Sequence, residues 1–236
     1  MSTPLERLLQ HPSIWRAGRD VVDAQGSVCA GKAARSTLST GFGELDARLP
    51  GGGWPFPALI ESLSERSGLG EIGLLLPALR ALQSATSAQP IARAIAWLNP
   101  PFIPYPPALA ESGLDLQRQL VAGPLTPVQS LWAMEQAMRS GACAAVLAWA
   151  DRASTQALRR LKLAASEGGC LGVLFRSSSR RVQSSPASIR LALSRCAHGL
   201  QIELLKVQRG KPATLSLADD PDARRARAAM AGFTEP

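Results

Sequence analysis

The sequence has few of the residue types on which metal and redox sites depend. Its 236 residues include only two histidines, His11 and His198, and four cysteines that stand far apart without a C-x-x-C pair. A structural zinc site needs four such ligands at short spacings, so this pattern argues against a bound metal. The cysteines are expected to be buried free thiols, and no cofactor is expected.

Aromatic residues and long hydrophobic runs are also scarce. Aromatic side chains make up 5% of the sequence, which disfavours a row of base-stacking platforms for single-stranded nucleic acid. No apolar run approaches the roughly 20 residues that a membrane span needs, and charges stand where a signal peptide would be hydrophobic. A cytoplasmic protein without membrane contact is therefore expected.

Positive charge is in excess, because 26 Lys and Arg face 18 Asp and Glu, for a net charge of +8 at pH 7. Such an excess favours an anionic partner, either nucleic acid or an acidic protein surface. Arg176, Arg180 and Arg181 lie in one Ser-rich segment and are candidates for weak, sequence-independent contacts to DNA phosphates. An ordinary solvated loop is the alternative.

Short apolar runs alternate with helical patterns through the middle of the chain. Strands are predicted at 58–63, 94–98, 120–123, 144–149 and 171–175. Helices are predicted from about Glu71, at 106–112, at 127–139 and at 153–166. This alternation indicates an α/β fold with a mostly parallel central sheet and helices on both faces. The runs RLALS, LQIELLKV and ATLSL follow with only short turns, so antiparallel strands are expected at one edge.

The two ends of the chain are predicted to be appendages of a core over 39–218. Residues 1–38 are predicted as a helical element over 4–23 and a linker, and residues 219–236 as a short C-terminal helix or tail. Both appendages carry candidate partner-binding residues: Ile14, Trp15, Arg224, Arg225, Arg227, Met230 and Phe233. Packing of the first two onto the core, and fraying of the tail, are the alternatives. The remaining tryptophans, Trp54, Trp97, Trp132 and Trp149, are expected in the core or at sheet ends.

The segment STGFGELDARLPGGGWPFPALIESLSERSGLGEIGLL, at 39–75, resembles the RecA recombinase family where that family leads into its ATP-binding loop. Segments at 112–115, 140–149 and 187–193 are similar to RecA in the same order. The resemblance implies a RecA-like core.

The chemistry of that family is missing from the matching positions. An ATP-binding loop needs two glycines, a lysine and a hydroxyl to hold phosphates and Mg²⁺. At these four places the sequence has Ser64, Leu69, Gly70 and Glu71. In the same alignment the water-activating glutamate falls on Pro101 and the metal-orienting acid on Trp149. We therefore expect no catalytic residue and no enzyme activity, with a diverged ATPase as the least favoured alternative.

Among relatives of RecA without this machinery, the sequence is similar to the SulA-like ImuA family. The similarity lies in LLQHPSIWRAG, STGFGELDARLPGGGWP, SGLGEIGLLLPAL and KVQRGKP. It implies an accessory role in SOS-induced mutagenic translesion synthesis after DNA damage. The implied partners are the polymerase-like protein ImuB, an error-prone DnaE-type polymerase and RecA. The alternative is a SulA-type cell-division inhibitor, which would bind the tubulin-like division protein FtsZ.

Overall fold

The computed structural model describes residues 21–22, 28–29, 36–86, 93–196 and 199–218. The chain divides into two units, Met1–Arg35 and Ser36–Pro236. In the first unit, strands β1 (Val21–Val22) and β2 (Val28–Cys29) pair in an antiparallel sheet. The helix prediction over 4–23 is therefore wrong at its last two valines, whose branched side chains favour a strand. The linker prediction, which extends to residue 38, is wrong at β2 and at a further strand over Ser36–Leu38. The remaining residues of the predicted helix and linker lie outside the described residues.

In its described residues, the second unit carries ten further strands and five α-helices. The strands are β3 (Ser36–Leu38), β4 (Trp54–Phe56), β5 (Ala58–Ser64), β6 (Ala94–Leu98), β7 (Gln119–Ala122), β8 (Cys143–Trp149), β9 (Leu171–Ser177), β10 (Ile189–Cys196), β11 (Gly199–Val207) and β12 (Ala213–Ala218). The helices are α1 (Gly43–Asp46), α2 (Leu76–Thr86), α3 (Pro106–Glu111), α4 (Pro127–Arg139) and α5 (Thr155–Glu167). Two short 3-10 helices lie at Leu116–Arg118 and Ser178–Arg180.

The main sheet has eight strands in the order β12-β11-β10-β5-β9-β8-β6-β7. The six strands from β10 to β7 in this order pair in parallel, and β11 and β12 add antiparallel pairs at one edge. The prediction of a mixed α/β fold with a mostly parallel sheet is confirmed. The antiparallel edge formed by the last three apolar runs is confirmed as well.

Helices cover both faces of this sheet. The burial of β5 on both faces explains why its sequence is almost continuously apolar. Ile60 joins a hydrophobic cluster that includes Leu75 and Leu79 near and within α2. Its neighbour Leu59 points to the other face and joins a second cluster with Met134 of α4 and Leu158 of α5. A parallel strand buried on both faces loses the alternation of polar and apolar residues.

Three local features differ from the sequence-based expectations. The helix expected from about Glu71 begins only at Leu76, because residues 71–75 form turns that serve the preceding loop. Trp132 is 64% exposed on α4 and is not a core residue. Strands β3 and β4 form an antiparallel hairpin that the prediction missed. A Cβ at Gly53 would lie 2.2 Å from the Leu38 carbonyl oxygen, so the hairpin can close only around glycine.

The thiols of Cys143, Cys170 and Cys196 are free, but Cys196 is only half-buried, so the expectation of a buried thiol is wrong there. Cys143 and Cys170 are buried, and burial raises the pKa of the Cys170 thiol to about 12. Within the described ranges, no three metal-ligating side chains stand together. None of the helices in those ranges is both long enough and apolar enough to cross a bilayer.

Candidate functional site at the carboxyl end of the sheet

The loops that follow the parallel strands β5, β8 and β9 gather at one edge of the main sheet. Ser64 at the end of β5 pairs in register with Ser177 of β9, and Trp149 of β8 pairs with Phe175 of the same strand. In open α/β sheets, ligands bind outside the carboxyl ends of the strands. This edge holds two different environments, one filled by the chain's own side chains and one open.

The loop after β5 is filled by Glu71. Its Oε1 accepts a hydrogen bond from the backbone N–H of Gly68 at 2.8 Å, and its Oε2 accepts one from Gly70 at 3.0 Å. Both glycines have positive φ, which turns successive N–H groups toward one point as in an anion-binding nest. Glu71 is only 5% exposed, so a carboxylate of the chain itself satisfies these donors.

Aromatic rings fill the neighbouring strand ends. Trp149 stacks on Phe175 with ring centroids 4.4 Å apart, and on Trp97 at 6.4 Å. These rings pack with the cluster that contains Leu69 and Ile72 from the loop after β5. Trp97 donates its indole N–H to Gln119 at 2.9 Å, whereas the indole N–H of Trp149 is buried without a hydrogen-bond partner among the described residues. This part of the edge is therefore hydrophobic.

An open cleft lies on the same edge, beside the N-terminus of α5. It has a volume of about 670 Å³, and its lining includes Arg152, Ser154, Arg176, Ser179, Arg180 and Val182. We refer to it as the basic cleft. Ser154 is the N-cap of α5, where its side chain accepts a hydrogen bond from Ala157, so the positive end of the helix dipole opens toward the lining.

One wall of the basic cleft is fixed by Asp151. Arg180 donates to its Oδ2 from Nε at 3.0 Å and from Nη2 at 2.6 Å, and the Ser177 backbone N–H donates to Oδ1 at 3.0 Å. The hydrogen bond from Arg180 is the main cause that lowers the pKa of Asp151, and the same contact raises the pKa of Arg180. The loop after β8 and the loop after β9 are thereby tied together.

A buried cluster of three charges lies beneath the cleft. Glu61 of β5 is fully buried, and Arg176 of β9 donates to its Oε1 from Nη1 at 2.6 Å. Arg190 of β10 places Nε 3.0 Å from Glu61 Oε2, close enough for an ion pair but without hydrogen-bond geometry. The paired register of Arg190 with Glu61 on adjacent strands explains this proximity. We call this cluster the buried triad.

The two arginines of the triad also hold the walls of the cleft. Arg176 Nη2 donates to the Asp151 carbonyl at 2.9 Å and to Gln183 Oε1 at 2.8 Å. Arg190 Nη2 donates to the carbonyl of Arg180 at 2.9 Å. The triad therefore positions the backbone on both sides of the opening.

The three arginines predicted to contact DNA differ in their exposure to solvent. The Arg176 side chain is 1% exposed and fully engaged, so the prediction that it contacts a phosphate is wrong. Arg180 and Arg181 have side chains 37% and 49% exposed, and Arg181 pairs with Glu203 of β11. These two remain predictions. The candidate partner-binding residues lie outside the described residues: Ile14, Trp15, Arg224, Arg225, Arg227, Met230 and Phe233.

The sequence did carry a signal for the triad that the prediction did not use. Glu61 interrupts the apolar run ALIESL, and Arg190 interrupts the run SIRLAL. Charged residues are almost never fully buried unless they are paired, so two opposite charges inside predicted core strands indicate a buried ion pair.

The geometry defines an α/β protein with a filled loop and an open basic cleft, and comparisons with known proteins relate it to SulA. Residues 64–172 match the family model described as "Cell division inhibitor SulA". The chain is 32% identical over 117 residues to the cell division inhibitor SulA of Photorhabdus laumondii subsp. laumondii. That alignment covers 50% of this chain and 63% of the Photorhabdus protein.

Among solved structures, the crystal structure of SulA from Pseudomonas aeruginosa is 27% identical, with a TM-score of 0.39. The match covers 50% of this chain and 98% of the Pseudomonas chain. The family model matches only residues 64–172. Of the two roles considered from the sequence, the family model and the Photorhabdus protein support the SulA-type role better than the ImuA-type role.

Proposed function

We propose that this chain is a non-catalytic binding protein of the SulA type that restrains cell division by binding FtsZ. The observation that carries this proposal is the match of residues 64–172 to the SulA family model. That stretch contains α2 to α5 and strands β6 to β8, which form one side of the main sheet together with both of its helical faces.

The geometry of the filled loop supports a non-catalytic role. In a phosphate-binding loop, backbone N–H groups and a lysine receive the phosphates of the nucleotide. Here Gly68 and Gly70 already donate to Glu71, whose negative charge would repel a phosphate at the same place. The aromatic stack around Trp149 occupies the strand end where the RecA resemblance places a metal-orienting acid. The RecA-like arrangement of the core is part of this proposal, supported by the mostly parallel sheet with its antiparallel edge.

The direct test is the assembly of purified FtsZ with GTP, followed by light scattering while this protein is added. We expect assembly to fall as the protein approaches an equimolar amount, because a binding protein removes FtsZ by mass action. The result should be the same with and without Mg-ATP. Unchanged assembly at a molar excess of a folded protein would refute the proposal.

The ImuA-type role is the second candidate, and a specific observation favours keeping it. Two segments that carry the ImuA resemblance, at 39–55 and 206–212, lie outside the residues that match SulA. Both are structured parts of the second unit. Ser39 donates to Asp46 at 2.7 Å in the first, and the second connects the paired strands β11 and β12. The match to the SulA family model therefore leaves five of the eight strands of the main sheet wholly or mostly unexplained.

A side-by-side capture experiment separates the two roles. The immobilised protein is offered purified FtsZ in one arm, and an ImuB-type polymerase-like protein with its error-prone DnaE-type polymerase in the other. Retention of FtsZ alone supports the SulA-type role. Retention of the polymerase components alone supports the ImuA-type role, in which RecA and DNA would be further partners.

A further inference from the structure

We propose that the basic cleft binds a carboxylate-bearing segment of a protein partner, with Arg152 and Arg180 as the contact residues. The proposal rests on the proposed role as a binding protein and names a surface for it. It depends on the charge, the rigidity and the lining of the cleft.

The charge around the cleft is not balanced. Among the described residues, four guanidinium groups surround the cleft or lie beneath it, and two carboxylates face them: Arg152, Arg176, Arg180 and Arg190 against Asp151 and Glu61. Arg152 is exposed and makes no ion pair or hydrogen bond with another described residue. Two positive charges thus remain uncompensated, one at the rim and one in the buried triad. A carboxylate in the cleft would be attracted to both.

The cleft is held open by contacts that do not involve a ligand. The triad fixes the backbone at Asp151 and Arg180 from below, and the Asp151–Arg180 ion pair joins the two walls. A site that is rigid before binding loses less conformational freedom when a ligand binds, which favours affinity. Burying two arginines against one glutamate is costly, so the arrangement is better explained by what it positions than by the stability that it adds.

The lining favours a peptide over a strand of nucleic acid. None of the described residues that line the cleft is aromatic, so they offer bases no stacking platform. Of the described guanidinium groups in the lining, Arg152 alone lacks a carboxylate partner, whereas a nucleic acid backbone requires a track of cations for successive phosphates. Val182 lies at the rim with 95% of its surface exposed. A partner segment with an acidic side chain next to an aliphatic one would place the first against Arg152 and the second against Val182.

The test uses full-length protein and two fluorescent probes, a peptide of alternating glutamate and leucine and a short single-stranded oligothymidylate. The variant Arg152→Glu is compared with Arg159→Glu, which changes an exposed arginine of α5 that does not line the cleft. We expect the first variant to weaken peptide binding by about tenfold or more and the control to leave it nearly unchanged, with binding that weakens as salt rises. Equal melting temperatures would show that both variants fold.

Several results would overturn the proposal. These are no peptide binding by the wild type, equal losses in both variants, or an oligothymidylate that binds more tightly than the peptide and depends on Arg152. The FtsZ assembly assay, run on the same proteins, separates this proposal from the proposed function. Loss of peptide binding in Arg152→Glu with a wild type that does not act on FtsZ supports the cleft and refutes the FtsZ role. FtsZ inhibition by the wild type together with unchanged peptide binding in Arg152→Glu supports the FtsZ role and refutes the proposed cleft.

Discussion

Arg176 of β9 and Glu61 of β5 form an ion pair that is closed off from solvent, with Nη1 and Oε1 2.6 Å apart and side chains 1% and 0% exposed. Arg190 approaches the same carboxylate from the opposite neighbouring strand. Three consecutive strands of the sheet are thus linked through one glutamate, directly beneath the basic cleft.

Removing Glu61 should destabilise the protein strongly. Glu61→Ala leaves two buried guanidinium groups without a counter-charge, and we expect a loss of about 3–5 kcal/mol in the free energy of unfolding, measured in urea. The control is Glu203→Ala, which breaks the exposed pair with Arg181 and should cost about 0–1 kcal/mol. Similar losses in the two variants would show that the triad contributes no more than a surface pair.

Replacing Glu71 should loosen the loop after β5. Glu71→Ala leaves the N–H groups of Gly68 and Gly70 without their acceptor, and we expect a loss of about 1–3 kcal/mol. Glu65→Ala, at an exposed position of the same loop, should change stability by less than about 0.5 kcal/mol. The wild type should show no rise in melting temperature with Mg-ATP, because Glu71 already occupies the N–H groups of the loop. Binding would be easy to detect, since a ligand at 100 times its Kd would add about 2.7 kcal/mol of stability. A clear rise would contradict the interpretation of Glu71 as a substitute for phosphate.

Trp149 should tolerate a substitution that keeps an aromatic ring at this position, but not one that removes the ring. Trp149→Phe retains stacking on Phe175 and eliminates a buried indole N–H that has no partner among the described residues, so stability should change by less than about 1.5 kcal/mol. Trp149→Ala opens a cavity and should cost about 3–5 kcal/mol. Thermal unfolding of both variants checks the difference. If the two were equally destabilised, the stack would not be the reason that Trp149 stands at the end of β8.

The strands and the mostly parallel sheet were predictable from the sequence, whereas the site left only a partial signal, the charges that interrupt two apolar runs. Apolar runs such as AIAWL and LGVLF predict strands buried on both faces because they are too short for a helix. Glu71 was identified as incompatible with a phosphate, but its hydrogen bonds to Gly68 and Gly70 depend on backbone φ angles that sequence does not reveal. Arg176 follows an apolar run and precedes three serines, so its local context favours a solvated loop. Its burial is decided by Glu61, 115 residues earlier in the chain.

The remaining DNA-contact prediction concerns Arg180 and Arg181. The double variant Arg180→Ala, Arg181→Ala should weaken any DNA binding by a similar factor on all sequences and reduce its dependence on salt, because phosphate contacts carry no sequence information. Equilibrium binding to two unrelated oligonucleotides over a range of salt concentrations measures this. Affinity and salt slope equal to those of the wild type would exclude both residues. Arg176 is left unchanged here because its loss would disturb the buried triad.

The segment 219–236 is predicted to serve partner capture and not folding. A chain ending at Ala218, the last residue of β12, keeps every described strand and should melt within a few degrees of the full-length protein. Its capture of FtsZ or of the polymerase-like partner should fall, because Met230, Phe233 and the basic Arg224, Arg225 and Arg227 suit a helix-in-groove contact. Equal capture by both chains would refute this role. A large loss of melting temperature would instead place the segment in the fold.

The position of β5 in the main sheet has a consequence for how the protein matures. Both neighbours of β5 come from much later in the chain, since Ile60 pairs with Val173 on one side and with Ile189 on the other. During synthesis, more than a hundred further residues must therefore be added after this apolar strand before either partner strand leaves the ribosome. Such long-range pairing folds slowly and exposes hydrophobic edges in the meantime. We therefore expect both hydrogen-bonding edges of β5 to stay unpaired in the nascent chain until β9 and β10 have emerged.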